Sequence, residues 1–321
     1  MLGQQPVTRL LPKHLCIFYC KQYYALLSKK SRQEIGDIHN RPASSKTVMI
    51  EKKIHSLPIW FFENLMGHQS IRHFVATRIG GHSHPPYDAL NLSFNVGDEP
   101  QNVLKNRKRL VEALGIPLTN LTTAKQVHDA HVKIISEPLR GKGATDYEDA
   151  INGTDAMVTH IPNICLMILV ADCVPILFYD PSKRVIGAAH AGWQGTLQRV
   201  AQKTVKVFQE DFGCSPKDVV VGIGPSIGPC CYEVGQEVVS EVEHVFRIKA
   251  GLIRNESADS KRYFDLWTAN LRQLVQAGIP ENNIEVARIC TCHHSDLFFS
   301  YRQEKGKTGR FGAGIVILGN Q

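Results

Sequence analysis

The stretch "LVADCVPILFYDPSKRVIGAAHAGWQGT", from Leu169 to Thr196, decides the fold. Its apolar runs are hydrophobic at consecutive positions, which is typical of central strands that are covered on both faces. Cys173 ends one run and His190 ends the next, and each is followed by turn or loop residues. Buried strands of this kind predict an α/β domain. Ligands at matching strand ends are held rigidly and leave one side open, so the stretch also predicts a site at the strand ends.

Helical and strand-like patterns alternate on both sides of this stretch, from Met49 onward. Amphipathic patterns with capping or stop residues predict helices within residues 97–117, 195–213 and 265–280. The sequence therefore predicts a single mixed α/β domain over residues 49–321, with central strands covered by helices. The predicted strands are "HVKIIS", "ICLMILV", "VPILFYD", "RVIGAAH", "DVVVGIG", "IEVARI" and "GAGIVIL".

The positive charge is concentrated at the N-terminus. Of the formal net charge of +7, residues 1–48 carry +6, from eight Lys and Arg side chains against two acidic ones. We expect these residues to form a basic, poorly ordered extension that precedes the domain. The rest of the chain is nearly neutral, which argues against a nucleic-acid partner.

A membrane partner and a secretory route are also not expected. The longest apolar stretch, Ile161–Phe178, contains Pro162, Asn163, Asp172 and Pro175, which a bilayer-spanning helix could not easily accommodate. The N-terminus lacks the pattern of a secretory signal, so a reducing, cytoplasmic setting is expected. In that setting the nine cysteines would be thiols or metal ligands.

The chemistry of Cys173 and His190 suggests a metal site. A catalytic zinc takes three protein ligands and keeps one position open. The segment "KQVHDAH" offers His128 or His131 as the third ligand. Thiolate and neutral imidazole suit zinc or copper and do not suit magnesium or calcium.

Two other interpretations remain open at this point. Cys173 could be a nucleophile with His190 as its base, in a thiol hydrolase or amidase that needs no metal. The chain could also be a metal-binding or partner-binding module without catalysis, with the fourth metal position filled by a ligand.

Two further groups of cysteine and histidine could be read as a structural zinc site. Their spacing differs from the usual C-x2-C pattern, and adjacent cysteines rarely bind one tetrahedral ion without strain. We therefore expect partly buried thiols near the pocket wall. The residues concerned are Cys230, Cys231, Cys290, Cys292, His293 and His294.

Distinctive motifs follow one another in a fixed order from about Ile71 to Leu318. They include "TRIGG", "KQVH", "ADCVPILFYDP", "AAHAGWQGT", "GPSIGPCCYEVG" and "FFSYRQEKGKTGRFGAGIVIL". Through these motifs the chain resembles the multifunctional purine nucleoside phosphorylase family, whose members have also been called laccase-domain or polyphenol oxidase proteins. So many motifs in one order do not match by chance.

The resemblance implies a laccase-domain, or cysteine-hydrolase-like, fold and a set of site residues. It implies zinc ligands at His128, Cys173 and His190, and places Arg78 and Arg302 near the pocket, where a guanidinium can hold phosphate. The implied reactions are phosphorolysis of adenosine, inosine, guanosine or methylthioadenosine, and deamination of adenosine.

The laccase label would require copper chemistry, and one pair of histidines could suggest it. His82 and His84 form a single HxH motif, whereas a multicopper oxidase needs several such motifs together with a cysteine flanked by histidines. We expect these two histidines to lie on the surface beside a turn. Copper polyphenol oxidation is therefore kept only as a further alternative, with copper as a possible metal.

Overall fold

The computed structural model describes residues 49–246, 251–256 and 261–319. The predicted extension over residues 1–48 lies outside these ranges. Within them the chain forms a mixed α/β domain, which confirms the predicted class. The strands are β1 (Met49–Ile54), β2 (Leu57–Phe62), β3 (Ile71–Ala76), β4 (Leu121–Thr122), β5 (Val132–Ile134), β6 (Ala156–Thr159), β7 (Cys165–Val170), β8 (Val174–Asp180), β9 (Val185–Ala191), β10 (Val220–Ile223), β11 (Ile253–Glu256), β12 (Lys261–Phe264), β13 (Ile284–Val286) and β14 (Phe311–Ile317).

Helices alternate with these strands in the same ranges. They are α1 (Glu63–Met66), α2 (Pro100–Ala113), α3 (Trp193–Leu197), α4 (Val200–Phe212), α5 (Gln236–Val245) and α6 (Leu266–Gln276). None of the described helices is long and apolar enough to cross a bilayer.

The strands form two six-stranded mixed sheets and one small hairpin. The first sheet has the order β1-β2-β3-β14-β7-β4, and the second has the order β13-β10-β8-β9-β6-β5. β11 and β12 form the hairpin, and Tyr263 of β12 also makes an isolated bridge with Glu233. The chain passes from the first sheet to the second between β7 and β8, through Ala171, Asp172 and Cys173.

The two large sheets pack face to face around the main core. In β14, Phe311, Ala313 and Ile315 belong to this core together with Leu177 and Ile186 of the second sheet. Alternate residues of a strand point to opposite faces, so the residues between them face the outside of the first sheet. This two-sided burial explains why the central strands are apolar at consecutive positions.

Helices cover the outer faces of both sheets. Leu110 and Val111 of α2 pack with Met167 of β7 in a second core. On the other sheet, Phe208 of α4 packs against Phe178, and it lies so close to Gly187 that a side chain at that glycine would collide with its ring. The described domain therefore has helices outside two stacked sheets, which agrees with the prediction that helices cover the central strands.

The helix predicted over residues 195–213 is interrupted. Arg199 adopts a left-handed conformation with φ of 67° and separates α3 from α4. A non-glycine residue in this region breaks the helical hydrogen-bond pattern, and an apolar periodicity alone does not reveal such a break. Gly213 ends α4 with φ of 63°, as its glycine identity predicts.

Candidate metal centre

The pairing of β8 with β9 brings Cys173 and His190 together. The two strands are antiparallel, with Val174 opposite Ala191 and Pro175 opposite His190. Cys173 directly precedes β8, and His190 is the second-last residue of β9. The start of one strand and the end of the other therefore meet at one edge of the sheet.

His128 reaches the same place from the loop between β4 and β5. This loop is held by the buried carboxylate of Asp155, which accepts backbone N–H groups from Val127 at 3.1 Å, His128 at 3.0 Å and Asp129 at 2.9 Å. The backbone of His128 has φ of 61°, a conformation uncommon for residues other than glycine. Three hydrogen bonds to one carboxylate account for the stability of that conformation.

The same carboxylate orients His190. Asp155 Oδ1 lies 2.8 Å from His190 Nδ1, so this nitrogen carries the proton and Nε2 remains available as a ligand. A carboxylate behind a metal-binding imidazole fixes the ring and increases its basicity. Asp155 therefore positions two of the three predicted ligands, and no local sequence pattern pointed to it.

The three predicted ligands converge. Their ligand atoms all lie within 4.8 Å of one another, and the rings of His128 and His190 are 4.8 Å apart at 83°. His190 is buried, Cys173 is partly buried and His128 is exposed, so the cluster has a closed side and an open side. This arrangement fits a metal with three protein ligands and one open position.

Gly192 leaves the space that this cluster needs. A Cβ atom at this position would lie 3.1 Å from Cys173 Sγ and 3.2 Å from His128 Cδ2. The backbone of Gly192 is ordinary, with φ of −67° and ψ of 178°. The glycine is therefore required by space rather than by conformation.

The charges in the cluster favour the thiolate form of Cys173 and the protonated form of His190. Burial alone would raise the pKa of the Cys173 thiol, but the charge of His190 and hydrogen bonds from His128 and His190 outweigh it and lower the pKa to about 6. Burial would lower the pKa of His190, yet Cys173 and Asp155 together raise it to about 9. Without a metal, Cys173 and His190 thus form a thiolate–imidazolium pair.

Asp172 connects the cluster to the pocket wall. Its buried carboxylate accepts a hydrogen bond of 2.6 Å from Thr291 Oγ1 and one of 2.7 Å from the backbone N–H of Arg302. Its own backbone is left-handed, with φ of 86°. The residue that precedes Cys173 therefore anchors two separate loops beside it.

The two predicted arginines occupy different settings. The guanidinium of Arg78 donates to Asp88 O, Ser295 O and Glu304 Oε1, at 2.8 to 2.9 Å, and lies 4.6 Å from the ring centre of Phe299. It therefore holds loops together. These contacts do not involve the three candidate ligands.

Arg302 is closer to the site and more exposed. Its side chain donates to Cys231 O at 3.3 Å and Glu233 O at 3.0 Å, and its guanidinium lies 5.4 Å from the ring centre of Tyr232. Burial raises the pKa of Tyr232, and the charge of Cys173 raises it further, which places this ring in the field of the thiolate.

Arg310 is a second cation in the same field, and the sequence did not single it out. Burial lowers the pKa of its guanidinium, whereas the charges of Cys173, Tyr301 and Asp172 act in the opposite direction. Its Nη1 donates to Thr308 O and Gly309 O, at 2.8 and 2.9 Å. The signal that could have found it is the "TGRFGAG" segment, where an arginine precedes the central strand β14.

The other histidines considered from the sequence lie outside the three-ligand cluster. His131 is exposed and is not among the three clustered ligands. His82 and His84 are exposed on either side of the buried Ser83, as expected of surface histidines beside a turn.

Comparison with known proteins agrees with the geometry. Residues 72–318 match the profile of the family described as multi-copper polyphenol oxidoreductase laccase. The chain belongs to this laccase-like family.

Relatives within the laccase-like family carry the names of purine enzymes. The chain is 39% identical over 241 residues to a protein named purine nucleoside phosphorylase YlmD, from Geobacillus stearothermophilus, covering 75% of this chain and 88% of the relative. It is 34% identical over 249 residues to a protein named adenosine deaminase RL5, from an unknown prokaryotic organism, covering 77% and 94%. Both names describe enzymes, and the family member described here is an enzyme.

Solved structures show the same laccase-like fold. The hypothetical protein YfiH of Bacillus licheniformis superposes with a TM-score of 0.77 at 34% identity, over 81% of this chain and 96% of that chain. YlmD of Geobacillus stearothermophilus superposes with a TM-score of 0.75 at 38% identity, over 78% and 93%.

Proposed function

We propose that this chain is a zinc-dependent purine nucleoside phosphorylase that also deaminates adenosine. Its substrates would be adenosine, inosine, guanosine or methylthioadenosine together with phosphate. The observation that carries the proposal is the convergence of His128, Cys173 and His190 with one side open. The names of the relatives support the reaction class.

Zinc is proposed as the metal because of the donor set and its openness. Two imidazoles and one thiolate suit zinc or copper. An exposed third ligand with a free side is typical of catalytic zinc, whereas an electron-transfer copper site is closed by its ligands. When bound here, zinc would supply Lewis-acid chemistry to a substrate in the open position.

The protein's own groups would position the reactants. Asp155 would hold His190 and the His128 loop in place, so that the ligands need no rearrangement when substrate arrives. Arg302 and Arg310 are the cations available for phosphate, and bidentate guanidinium contacts would fix its orientation. Arg78 would act indirectly, because its donors are engaged by loop carbonyls and Glu304.

In phosphorolysis, a phosphate oxygen forms a bond to the anomeric carbon of the ribose. The bond from that carbon to the purine nitrogen breaks, and the purine leaves with the electron pair and takes up a proton. Positive charge develops on the sugar during this step, so the phosphate and the carboxylate of Asp172 would stabilise it. In deamination, water replaces the amino group of adenosine and ammonia leaves.

The decisive experiment is release of hypoxanthine from inosine by the zinc-loaded chain, with and without phosphate. We expect release only with phosphate, and we expect Cys173→Ala to abolish it. Cys214→Ala is the matched control, because that buried cysteine contacts Asp180 at the far end of β8, about 20 Å along the strand from Cys173. If inosine, adenosine and methylthioadenosine all stay unchanged under both conditions, the proposal is wrong.

A second candidate function is a metal-free thiol hydrolase or amidase. It is favoured by one observation: Cys173, His190 and Asp155 form a hydrogen-bonded chain in the order nucleophile, base and orienting carboxylate. Removing zinc with a chelator distinguishes the two. A zinc enzyme loses its activity and regains it with added zinc, whereas a thiol hydrolase keeps it until Cys173 is alkylated.

A further inference from the structure

We propose that the chain holds a second zinc ion at Cys230, Cys231, Cys290 and His293, separate from the candidate catalytic centre. Each of these residues offers one ligand atom, and the four atoms lie within 4.8 Å of one another. Three thiolates and one imidazole form a Cys3His donor set, which is typical of closed structural zinc sites. We call these four residues the thiol cluster.

Two sulfur–nitrogen distances in the thiol cluster are close to those between ligands of a tetrahedral zinc. Cys230 Sγ lies 3.4 Å from His293 Nδ1, and Cys231 Sγ lies 3.2 Å from Nε2. Zinc–sulfur bonds of about 2.3 Å and zinc–nitrogen bonds of about 2.0 Å at tetrahedral angles place the two ligand atoms about 3.5 Å apart. Because the two sulfurs contact different ring nitrogens, binding through a single nitrogen would require the imidazole to shift toward one of them, within a cluster whose four ligand atoms already lie within 4.8 Å of one another.

The fold, rather than the spacing along the chain, assembles the thiol cluster. β10 and β13 are parallel neighbours, so the loops that follow them leave the same edge of the sheet. An isolated bridge between Ser226 and Cys290 ties the two loops together. The expectation that these cysteines and His293 lack the geometry of a zinc site is therefore revised, because the ligands come in pairs from two loops.

A turn allows the two adjacent cysteines to share one ion. The backbone N–H groups of Cys231 and Tyr232 both donate to Gly228 O at 2.9 Å, which folds the chain back at Cys230. Both sulfurs then contact the same imidazole. Gly228 permits this turn, since a Cβ atom there would lie 2.7 Å from Trp267 and 3.1 Å from Cys230 Sγ.

The surroundings would stabilise a site with three thiolates, which has a net charge of −1 with Zn²⁺. Gly228 N donates to Cys290 Sγ at 3.3 Å. Arg254 and Arg302 donate to the carbonyls of Pro229 and Cys231, at 3.4 and 3.3 Å, and bring two positive charges to the same turn. Such outer contacts typically support metal ligands.

The position of the thiol cluster indicates its role. Thr291 directly follows Cys290 and donates to Asp172, the residue before Cys173. Arg302 links the Cys231 carbonyl to the same carboxylate through its backbone N–H. A zinc ion here would fix the wall of the pocket while taking no part in the reaction.

The test is the zinc content of the purified full-length chain under reducing conditions. We expect two zinc ions per chain, one in Cys173→Ala and one in His293→Gln. His294→Gln, a change of the neighbouring half-buried histidine, is the matched control and keeps both ions.

Because a ligand variant can fail to fold, a second measurement uses the Cys173→Ala chain loaded with Co²⁺ or Zn²⁺. X-ray absorption should show three sulfur ligands and one nitrogen ligand. Absence of bound metal in this variant, or a disulfide among Cys230, Cys231 and Cys290 found by mass spectrometry, would overturn the proposal. The wild-type chain could instead hold a single ion that Cys173→Ala keeps and His293→Gln loses. That result would support zinc at the thiol cluster and contradict the proposed zinc-dependent function.

Discussion

Gly192→Ala tests whether the candidate metal centre needs the empty space beside Gly192 to bind its metal. The added methyl group would lie 3.1 Å from Cys173 Sγ and 3.2 Å from His128 Cδ2. Comfortable contacts between such atoms are about 3.5–4.0 Å, so a ligand must move by about 0.5 Å. Metal–ligand distances tolerate deviations of about 0.2 Å, and the displacement exceeds that tolerance.

We therefore expect Gly192→Ala to weaken zinc binding at least about tenfold, which corresponds to about 1.4 kcal/mol. The free energy of unfolding should fall by about 1–3 kcal/mol, the usual cost of overpacking. Zinc affinity is measured by competition with a chelator, and inosine phosphorolysis is measured at saturating zinc.

Gly235→Ala is the matched control. Gly235 also precedes a helix, α5, and has nearly the same backbone, with φ of −74° and ψ of 171°. No atom lies within 4 Å of a Cβ built there. The control therefore carries the same change in backbone entropy and helix capping without the collision. Equal zinc affinity and equal turnover in the two variants would show that the loop of His128 moves without cost. The space at Gly192 would then not be needed for metal binding.

Two further predictions concern buried carboxylates. Asp155→Asn should weaken zinc binding about 10- to 100-fold, because the amide cannot accept all the donors that surround the carboxylate. The control Asp129→Asn changes an exposed carboxylate on the same loop as His128 and should leave zinc binding unchanged. Equal zinc affinity of the two variants in chelator competition would contradict this prediction. Burial raises the pKa of Glu285 from 4.5 to about 7, so the folded wild type should lose about 3 kcal/mol of stability as the pH rises from 4.5 to 7. Glu285→Gln cannot ionise and should not show this loss of stability. In denaturant unfolding, the stability of the variant relative to the wild type should therefore be higher at pH 8 than at pH 5. A stability difference that is the same at both pH values would contradict the raised pKa of Glu285.

The sequence could predict the strands because burial on two faces leaves a clear pattern. Each of the seven predicted apolar runs overlaps a strand of the structure. The division into two sheets could not be predicted in this way. β7 and β8 are separated by only three residues, yet they belong to different sheets, because Asp172 turns the chain with a left-handed backbone.

The candidate site could be predicted as far as its ligand types. A cysteine and two histidines are chemically conspicuous, and the structure brings His128, Cys173 and His190 together. Asp155 was not predictable, because a carboxylate before a short strand has no distinctive neighbours. Its importance appears only when three backbone N–H groups and one imidazole surround it.

The closeness of the four ligand atoms in the thiol cluster was not predicted, for a related physical reason. Spacing rules for zinc sites describe ligands that one turn or one helix presents, whereas parallel strands can bring two distant loops to the same edge. Asp172 shows how closely the two sites are connected, since one carboxylate holds Thr291 beside Cys290 and precedes Cys173. A change in either loop should therefore be transmitted to the pocket through rigid hydrogen bonds, without any large motion of the sheets.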